Sequence, residues 1–325
     1  APQQRVDQML TCNEEFLHPE LMDVVRLFEG AQALHIEQSM RYTGGAFENT
    51  VTVEGETSFF RDEAFFAGDL QYKSLAKRYA KLALYRALCA RTGVRLPWGA
   101  LTGIRPTRLA YAELEAGRPF EPLFERMCVS PENIALTRRV IEGQRGILER
   151  RERNCDLFVS LPFCPTKCEY CSFITAPIAA TRKYLPDYLR ALEEELAAAA
   201  PLIGNLRSVY IGGGTPFALE AQELEQVLRA VAPLRKNGCE YTVEAGRPDT
   251  FTREKLEVCR QYGVTRICIN AQSFSDATLA RIGRKHTAQA VRDAFALAAP
   301  FGFSVNCDLI AGLTDETYEE FCASV

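Results

Sequence analysis

Three cysteines sit close together in the stretch Ser-Leu-Pro-Phe-Cys-Pro-Thr-Lys-Cys-Glu-Tyr-Cys-Ser-Phe at residues 160–173: Cys164, Cys168 and Cys171, with C-x3-C-x2-C spacing. Three thiolates on one short loop can hold three corners of a [4Fe–4S] cube. The first gap is wider than the two-residue gap usual in zinc knuckles. Only three ligands are supplied locally, which leaves a fourth iron open to a small molecule. The bland alternative is a zinc site or a chance grouping, since the 325 residues contain twelve cysteines.

The elements that must position this loop are read from periodicity. From residue 156 onward the chain alternates short apolar runs with amphipathic stretches. Residues 157–161 read as a first strand leading into the cysteines, and residues 185–200 as a helix with its stripe at Leu185, Leu189, Leu192 and Leu196. Strands are expected at 208–211, 240–244, 265–269 and 304–310, with helices at about 220–234 and 252–262 and a helical stretch after the fourth strand. Five β/α units in succession imply a parallel sheet curling toward a full or partial barrel. Sites in such folds gather at the carboxyl ends of the strands.

Those ends carry a consistent set of groups. The cysteines follow strand one, Gly213, Gly214 and Thr215 close strand two, Glu244 ends strand three, Gln272 follows strand four and Asp308 lies within strand five. Glycines let backbone N–H groups approach a ligand closely. Glu244 can accept from an ammonium group, Gln272 and Asp308 can bond ribose hydroxyls or an adenine edge, and Arg284 can pair with a carboxylate. Singly, the glycines read as a tight turn and Glu244 as a salt-bridge partner. Together they suit a ligand carrying both an amino acid and a nucleoside, such as S-adenosylmethionine, whose methionyl amine and carboxylate can fill the open iron.

Apolar residues at 47% and charged residues at 25% are those of a soluble globular protein with room for about two domains. A net charge of −4 without charge blocks does not favour a nucleic-acid surface. There is no apolar run of about 18 residues and no signal peptide, so neither a membrane span nor export is expected, and scattered cysteines fit a reducing cytoplasm. The nine remaining cysteines read mainly as small buried residues. Both termini read as cuts in a longer chain.

Before the barrel, residues 1–153 read as a smaller α+β domain, joined at the charged segment 149–153 to a barrel domain at 154–325. Strands are expected at 33–37 and 49–54, with Gly44-Gly45 as a turn between them, and His35 as a strand residue without a ligand partner. A helix at 71–92 carries Lys73, Lys77, Arg78, Lys81 and Arg86 beside its apolar stripe, ends at Gly93, and reads as a solvated basic face, with a patch for an anionic partner as the alternative. Residues 96–109 form a shaped loop around Trp98, the only tryptophan. Its Arg105 and Arg108 could clamp a carboxylate or phosphate, though pairing with acids across a domain interface is the expected use. Ser130 and Pro131 start a helix expected to reach about residue 153.

With these motifs in view, the chain resembles the radical S-adenosylmethionine enzymes of the oxygen-independent coproporphyrinogen III oxidase group. The resemblance rests on C-x3-C-x-Y-C-x-F after a strand, on Gly-Gly-Gly-Thr-Pro at 212–216 and on the fourth strand end. The stretches Pro-Trp-Gly-Ala-Leu-Thr-Gly-Ile-Arg-Pro-Thr at 97–107, Thr-Val-Glu-Ala-Gly-Arg-Pro-Asp-Thr at 242–250 and Ile-Gly-Arg-Lys-His-Thr at 282–287 are similar to its HemZ branch. The resemblance implies a partial (β/α)6 barrel cut before its sixth strand. Cys164, Cys168 and Cys171 would bind a [4Fe–4S] cluster. Tyr170 would contact adenine, and Gly213, Gly214 and Thr215 would line the methionyl amine. Glu244, Gln272, Arg284 and Asp308 would sit at positions for one S-adenosylmethionine molecule or two. No catalytic residue is assigned beyond this cofactor site.

The implied activity is that of an oxidoreductase. It converts coproporphyrinogen III propionates to vinyl groups in haem biosynthesis, with an electron donor such as flavodoxin or ferredoxin. Alternatives are a haem chaperone of the HemW type and another radical reaction on a tetrapyrrole, such as methyl transfer in haem breakdown. Phe158 and Ser160 replace a Tyr and a His of the N-type relatives, and Phe173 replaces a further Cys.

Overall fold

The computed structural model describes residues 9–147, 154–235 and 238–325. The chain divides into two compact units, Ala1–Glu149 and Arg150–Val325. The segment expected as the linker, 149–153, lies outside the described residues.

The first unit is built on a four-stranded sheet in the order β1 (Leu10–Cys12), β2 (Ile36–Thr43), β3 (Ala46–Val53), β4 (Glu56–Glu63). Strand β1 runs parallel to β2, and the other pairs are antiparallel. The β2–β3 hairpin closes on Gly44 and Gly45, at φ 54° and 78°, with Thr43 opposite Ala46. Two central residues at positive φ match the twist of the flanking strands, which is why glycines are needed there. His35 lies just before β2, exposed, and its Nε2 is 3.0 Å from Glu37 Oε1, so it does have an acidic neighbour.

Helix α1 (His18–Val25) and the long helix α2 (Asp69–Thr92) complete the core. Tyr79 of α2 stacks on Phe47 of β3 with ring centroids 5.5 Å apart. Gly93 caps α2 in the left-handed region, donating its N–H to Cys89 O. Helices α3 (Pro106–Glu115), α4 (Glu121–Arg126) and α5 (Pro131–Gly143) follow. Helix α5 ends ten residues earlier than its expected reach. Ser130 caps it as anticipated, accepting from the Asn133 N–H.

The basic positions of α2 do not form a solvated face. Lys81 is buried, donating to Thr102 O at 2.9 Å and to Glu20 at 3.2 Å, and Lys77 also reaches Glu20 at 2.8 Å. Arg86 pairs with the buried Asp62.

The second unit is an α/β layer structure. Its five strands are all parallel and lie in sequence order: β5 (Asn154–Leu161), β8 (Asn205–Gly213), β9 (Glu240–Gly246), β10 (Arg266–Ile269) and β11 (Ser304–Asn306). A two-residue pair, β6 (Phe163–Cys164) with β7 (Ala176–Pro177), closes the base of the cysteine loop. The helices include α6 (Ile178–Thr181), α7 (Leu185–Ala199), α8 (Ala221–Val231), α9 (Arg253–Gln261), α10 (Asp276–Arg281) and α11 (Ala288–Ala298).

Leu185, Leu189, Leu192 and Leu196 of α7 are all buried, as their spacing demands. They join Val209, Ile211, Val243, Ile267 and Ile269 of the sheet in one core. Along β5 burial alternates, with Val159 and Leu161 inside and Phe158 and Ser160 exposed on the other face.

Strand β11 stops at Asn306, short of the expected 304–310. Asp308 therefore follows the strand rather than lying within it. The chain there pairs with Gln272 instead, through Gln272 N to Asp308 O at 2.8 Å and Ile310 N to Gln272 O at 3.0 Å. All twelve cysteines are free; only Cys239, Cys259 and Cys268 are fully buried, and Cys322 is exposed, so burial is less general than composition implied. No helix among the described residues is long and apolar enough to cross a membrane.

Candidate functional site

Strand β5 delivers the chain into Pro162 and then Cys164. The loop is closed by Ala176 N donating to Pro162 O at 2.9 Å and by Cys164 lying opposite Pro177. Inside it, Cys171 N donates to Cys168 O at 3.1 Å, a tight turn that folds the second and third cysteines together. All three thiols are partly exposed and free. Burial pushes the Cys164 thiol up; hydrogen bonds from Thr215 and Thr175 oppose this, and the neighbouring Cys168 and Cys171 reinforce it. The Cys164 thiol thus senses the charge of the other two. Among the described residues, no three Cys, His, Asp or Glu side chains converge closely enough to hold a single metal ion. A cubane asks for a wider arrangement, because each thiolate binds a different iron.

The glycine run serves this loop directly. Gly214 N donates to Leu161 O and Thr215 N to Phe163 O, each at 2.8 Å. Those two amides are therefore engaged by the chain and do not point the run's N–H groups at a ligand, contrary to the expectation for Gly214. A Cβ on Gly214 would lie 2.6 Å from Phe163 O, and one on Gly213, at φ 99°, 2.7 Å from Ser160 Oγ. Glycine is required here so that strand two can seat the cysteine strand. Thr215, buried, donates its hydroxyl to Cys164 Sγ at 3.5 Å.

A second tie comes from a residue that strand-end reasoning passed over. Arg247 keeps only 2% of its surface exposed. Its Nε and Nη2 hold Asp249 at 2.9 and 2.7 Å, and its Nη1 donates to Thr166 Oγ1 inside the cysteine loop. The Arg247 guanidinium helps hold the Asp249 carboxyl below the usual range, against the opposing effect of burial. An arginine two residues before an aspartate, just after a strand end, was the available signal.

A third tie is Arg284, also buried. It donates from Nη1 to Asn270 O at 2.5 Å and lies near enough to the Tyr170 hydroxyl to favour its ionised form. Its head thus meets a carbonyl and a phenol here. Burial of the Tyr170 hydroxyl pushes it up to about 12, against the pull of the Arg284 charge. Glu169 N to Ile282 O, 3.2 Å, adds a backbone bond between the same two loops. His286, buried beside them, is pushed down to about 4, first by burial and then by the Arg284 charge.

Glu244 is the acid of the rim. It accepts from Asn270 Nδ2 at 3.1 Å. Burial pushes its carboxyl up; bonds from Tyr210 and Asn270 oppose this, and the nearby Asp308 charge adds to it. Asp308 itself accepts from Asn306 Nδ2 at 2.7 Å. Gln272 is buried at φ 68°, a region that a glutamine rarely adopts. Its Oε1, and the Oδ1 of Asn270, are buried without a partner among the described residues. Unpaired buried acceptors are costly unless a ligand or water satisfies them. They fit a cofactor presenting hydroxyl or amino donors.

Parallel sheet, cysteine loop and strand-end rim together define the class of protein. Residues 158–325 match the model of the radical SAM superfamily, and the chain belongs to that superfamily. Its cofactors are accordingly a [4Fe–4S] cluster and S-adenosylmethionine. Among particular proteins, it is 34% identical over 294 residues to the oxygen-independent coproporphyrinogen-III oxidase-like protein HemZ of Bacillus subtilis, a match covering 83% of this chain and 58% of that protein. It is 32% identical over 174 residues to the heme chaperone HemW of the same organism, covering 52% of this chain and 45% of HemW. Among solved structures it is similar to the radical SAM coproporphyrinogen III oxidase HemN of Escherichia coli, at 27% identity and a TM-score of 0.48, over 52% of this chain and 40% of that one. The chain thus spans less than two thirds of the length of each.

Proposed function

We propose that Cys164, Cys168 and Cys171 hold the cluster and that the rim beside them binds S-adenosylmethionine for a radical reaction on a tetrapyrrole. The observation that carries this is the threefold tie of the cysteine loop to the strand ends, through Thr215, Arg247 and Arg284. That tie supports the reading, because the three cysteines and the polar rim share one hydrogen-bonded frame. When bound, the cluster and S-adenosylmethionine together supply a one-electron cleavage that releases a 5′-deoxyadenosyl radical.

The residues of this chain then have distinct tasks. Thr215 gives a hydrogen bond to a cluster sulfur, which tunes the potential. Glu244 accepts from the methionyl ammonium, and Tyr170, beside Arg284, flanks the adenine. Gln272 and Asp308 take hydroxyl donors of the ribose. Gly213 and Gly214 keep the loop close enough to strand two for the cluster and the amine to share one space. The substrate reading is a porphyrinogen propionate, which would lose a hydrogen atom to the cofactor's radical chemistry, then carbon dioxide, and one electron to an external one-electron acceptor, to leave a vinyl group. A flavodoxin or ferredoxin would supply the reducing electron.

The test is anaerobic reconstitution with iron and sulfide, followed by dithionite and S-adenosylmethionine. Formation of 5′-deoxyadenosine and methionine, lost in Cys168→Ser, is expected. Their absence refutes the enzyme reading; their formation without change in coproporphyrinogen refutes only the substrate. A second reading, haem carriage, is favoured by the exposed apolar pair of Phe158, stacked on Tyr210 at 6.0 Å, and Phe173, where N-type relatives have polar residues. Stoichiometric haem binding without porphyrinogen turnover would select it.

A further inference from the structure

The N-terminal unit contains a cavity of about 670 Å³ that no step above uses. Lys77, Arg78, Lys81, Arg105 and Arg108 line it, against a single acid, Glu20. Lys77 and Lys81 take up that acid, at 2.8 and 3.2 Å. Arg78, Arg105 and Arg108 have no ion-pair partner among the described residues of this unit. Burial pushes the Arg78 guanidinium down, and the nearby Glu113 charge offsets this only in part, the mark of a cation partly withdrawn from water.

The cavity is shaped rather than incidental. Lys81 donates to Thr102 O and so fixes the loop before α3 against α2. Gly99, at φ 55°, lets that loop pass so close to the neighbouring chain that a Cβ would lie 2.2 Å from Met127 O. Helix α3 starts at Pro106, between the lining residues Arg105 and Arg108, with no side-chain cap on its positive end. Leu101, Ile104 and Leu109 add an apolar wall.

We infer that this cavity binds a small molecule carrying two or more carboxylates or phosphates on an apolar body. An excess of cations around an apolar wall favours such a ligand over a neutral one, and over a lone inorganic anion that could not use the wall. A polycarboxylate porphyrin and a nucleoside polyphosphate share this chemistry. The inference stands on the N-terminal unit alone and does not depend on the reaction proposed for the barrel.

The test uses the full chain, calorimetry and two probes, coproporphyrin III and ATP, with Trp98 fluorescence as a local reporter. At least one probe is expected to bind with a Kd on the order of 10 μM, weakening roughly tenfold between 50 and 300 mM salt. The double variant Arg105→Glu/Arg108→Glu is expected to weaken it at least about 30-fold. Both side chains are exposed and unpaired, so the variant should keep its thermal transition. A control, Arg139→Glu/Arg145→Glu, changes the same charge elsewhere and should leave binding within about threefold. Which probe binds separates the two sources. Failure of both probes below about 1 mM, or equal weakening in the control, overturns the inference.

Discussion

Replacing Arg247 with Met should loosen the cysteine loop more than any single change in the loop itself, the cysteines aside. Arg247 is buried and makes three side-chain hydrogen bonds, two of them charge-assisted to Asp249 and one to Thr166. Removing one partner of a buried ion pair costs about 3–5 kcal/mol. Asp249 keeps 30% of its side chain exposed, so water recovers part of that cost, and about 3 kcal/mol remains for the variant. At 1.4 kcal/mol per factor of ten, local opening becomes roughly 100-fold more frequent. Hydrogen exchange of peptides spanning 164–176 and 246–252, read by mass spectrometry, measures this directly. Thr166→Val isolates the bond into the loop and should show about 1 kcal/mol of the same effect in the first peptide. Iron and sulfide uptake on reconstitution should fall in Arg247→Met. If its loop amides exchange within about threefold of the parent and iron uptake is unchanged, Arg247 does not anchor the loop.

Gly214→Ala would set a Cβ against two backbone carbonyls, at 2.6 and 2.8 Å, and should cost about 3 kcal/mol in chemical denaturation while disturbing the Leu161 and Phe163 contacts. His286 is held neutral, at about 4 against an ordinary 6.5, so the unfolded chain takes up its proton first as pH falls. Its contribution is fully present above about pH 6.5 and is lost between there and pH 4, by at most ~3 kcal/mol. Denaturation of the parent and of His286→Gln at pH 7.5, 6 and 5 should show a flatter pH slope in the variant. Thr215→Val removes the hydroxyl bond to Cys164 Sγ and should lower the reduction potential of the reconstituted cluster in spectroelectrochemistry, with little change in iron content.

The β/α alternation was legible because each strand is a short apolar run and each helix shows its stripe, as in Leu185, Leu189, Leu192 and Leu196. The helix start at Ser130 was legible for a local reason: a hydroxyl can satisfy a nearby backbone N–H. The cysteine spacing likewise carries its chemistry within a few residues. What only tertiary structure decided involves partners distant in sequence. Strand five shortens because Gln272, at positive φ, takes over the pairing of residues 308–310. The amides of Gly214 and Thr215 go to carbonyls some fifty residues earlier, so their use could not be read from the glycines alone. Arg247 becomes an anchor only when folding brings Thr166 to it across 81 residues. The basic face of α2 is the clearest case. Periodicity assigns lysines and arginines to a side of the helix, but the packing of residues 100–112 over that side turns a solvated surface into the wall of a cavity. Local pattern determines which face a residue occupies; the long-range packing determines what that face meets.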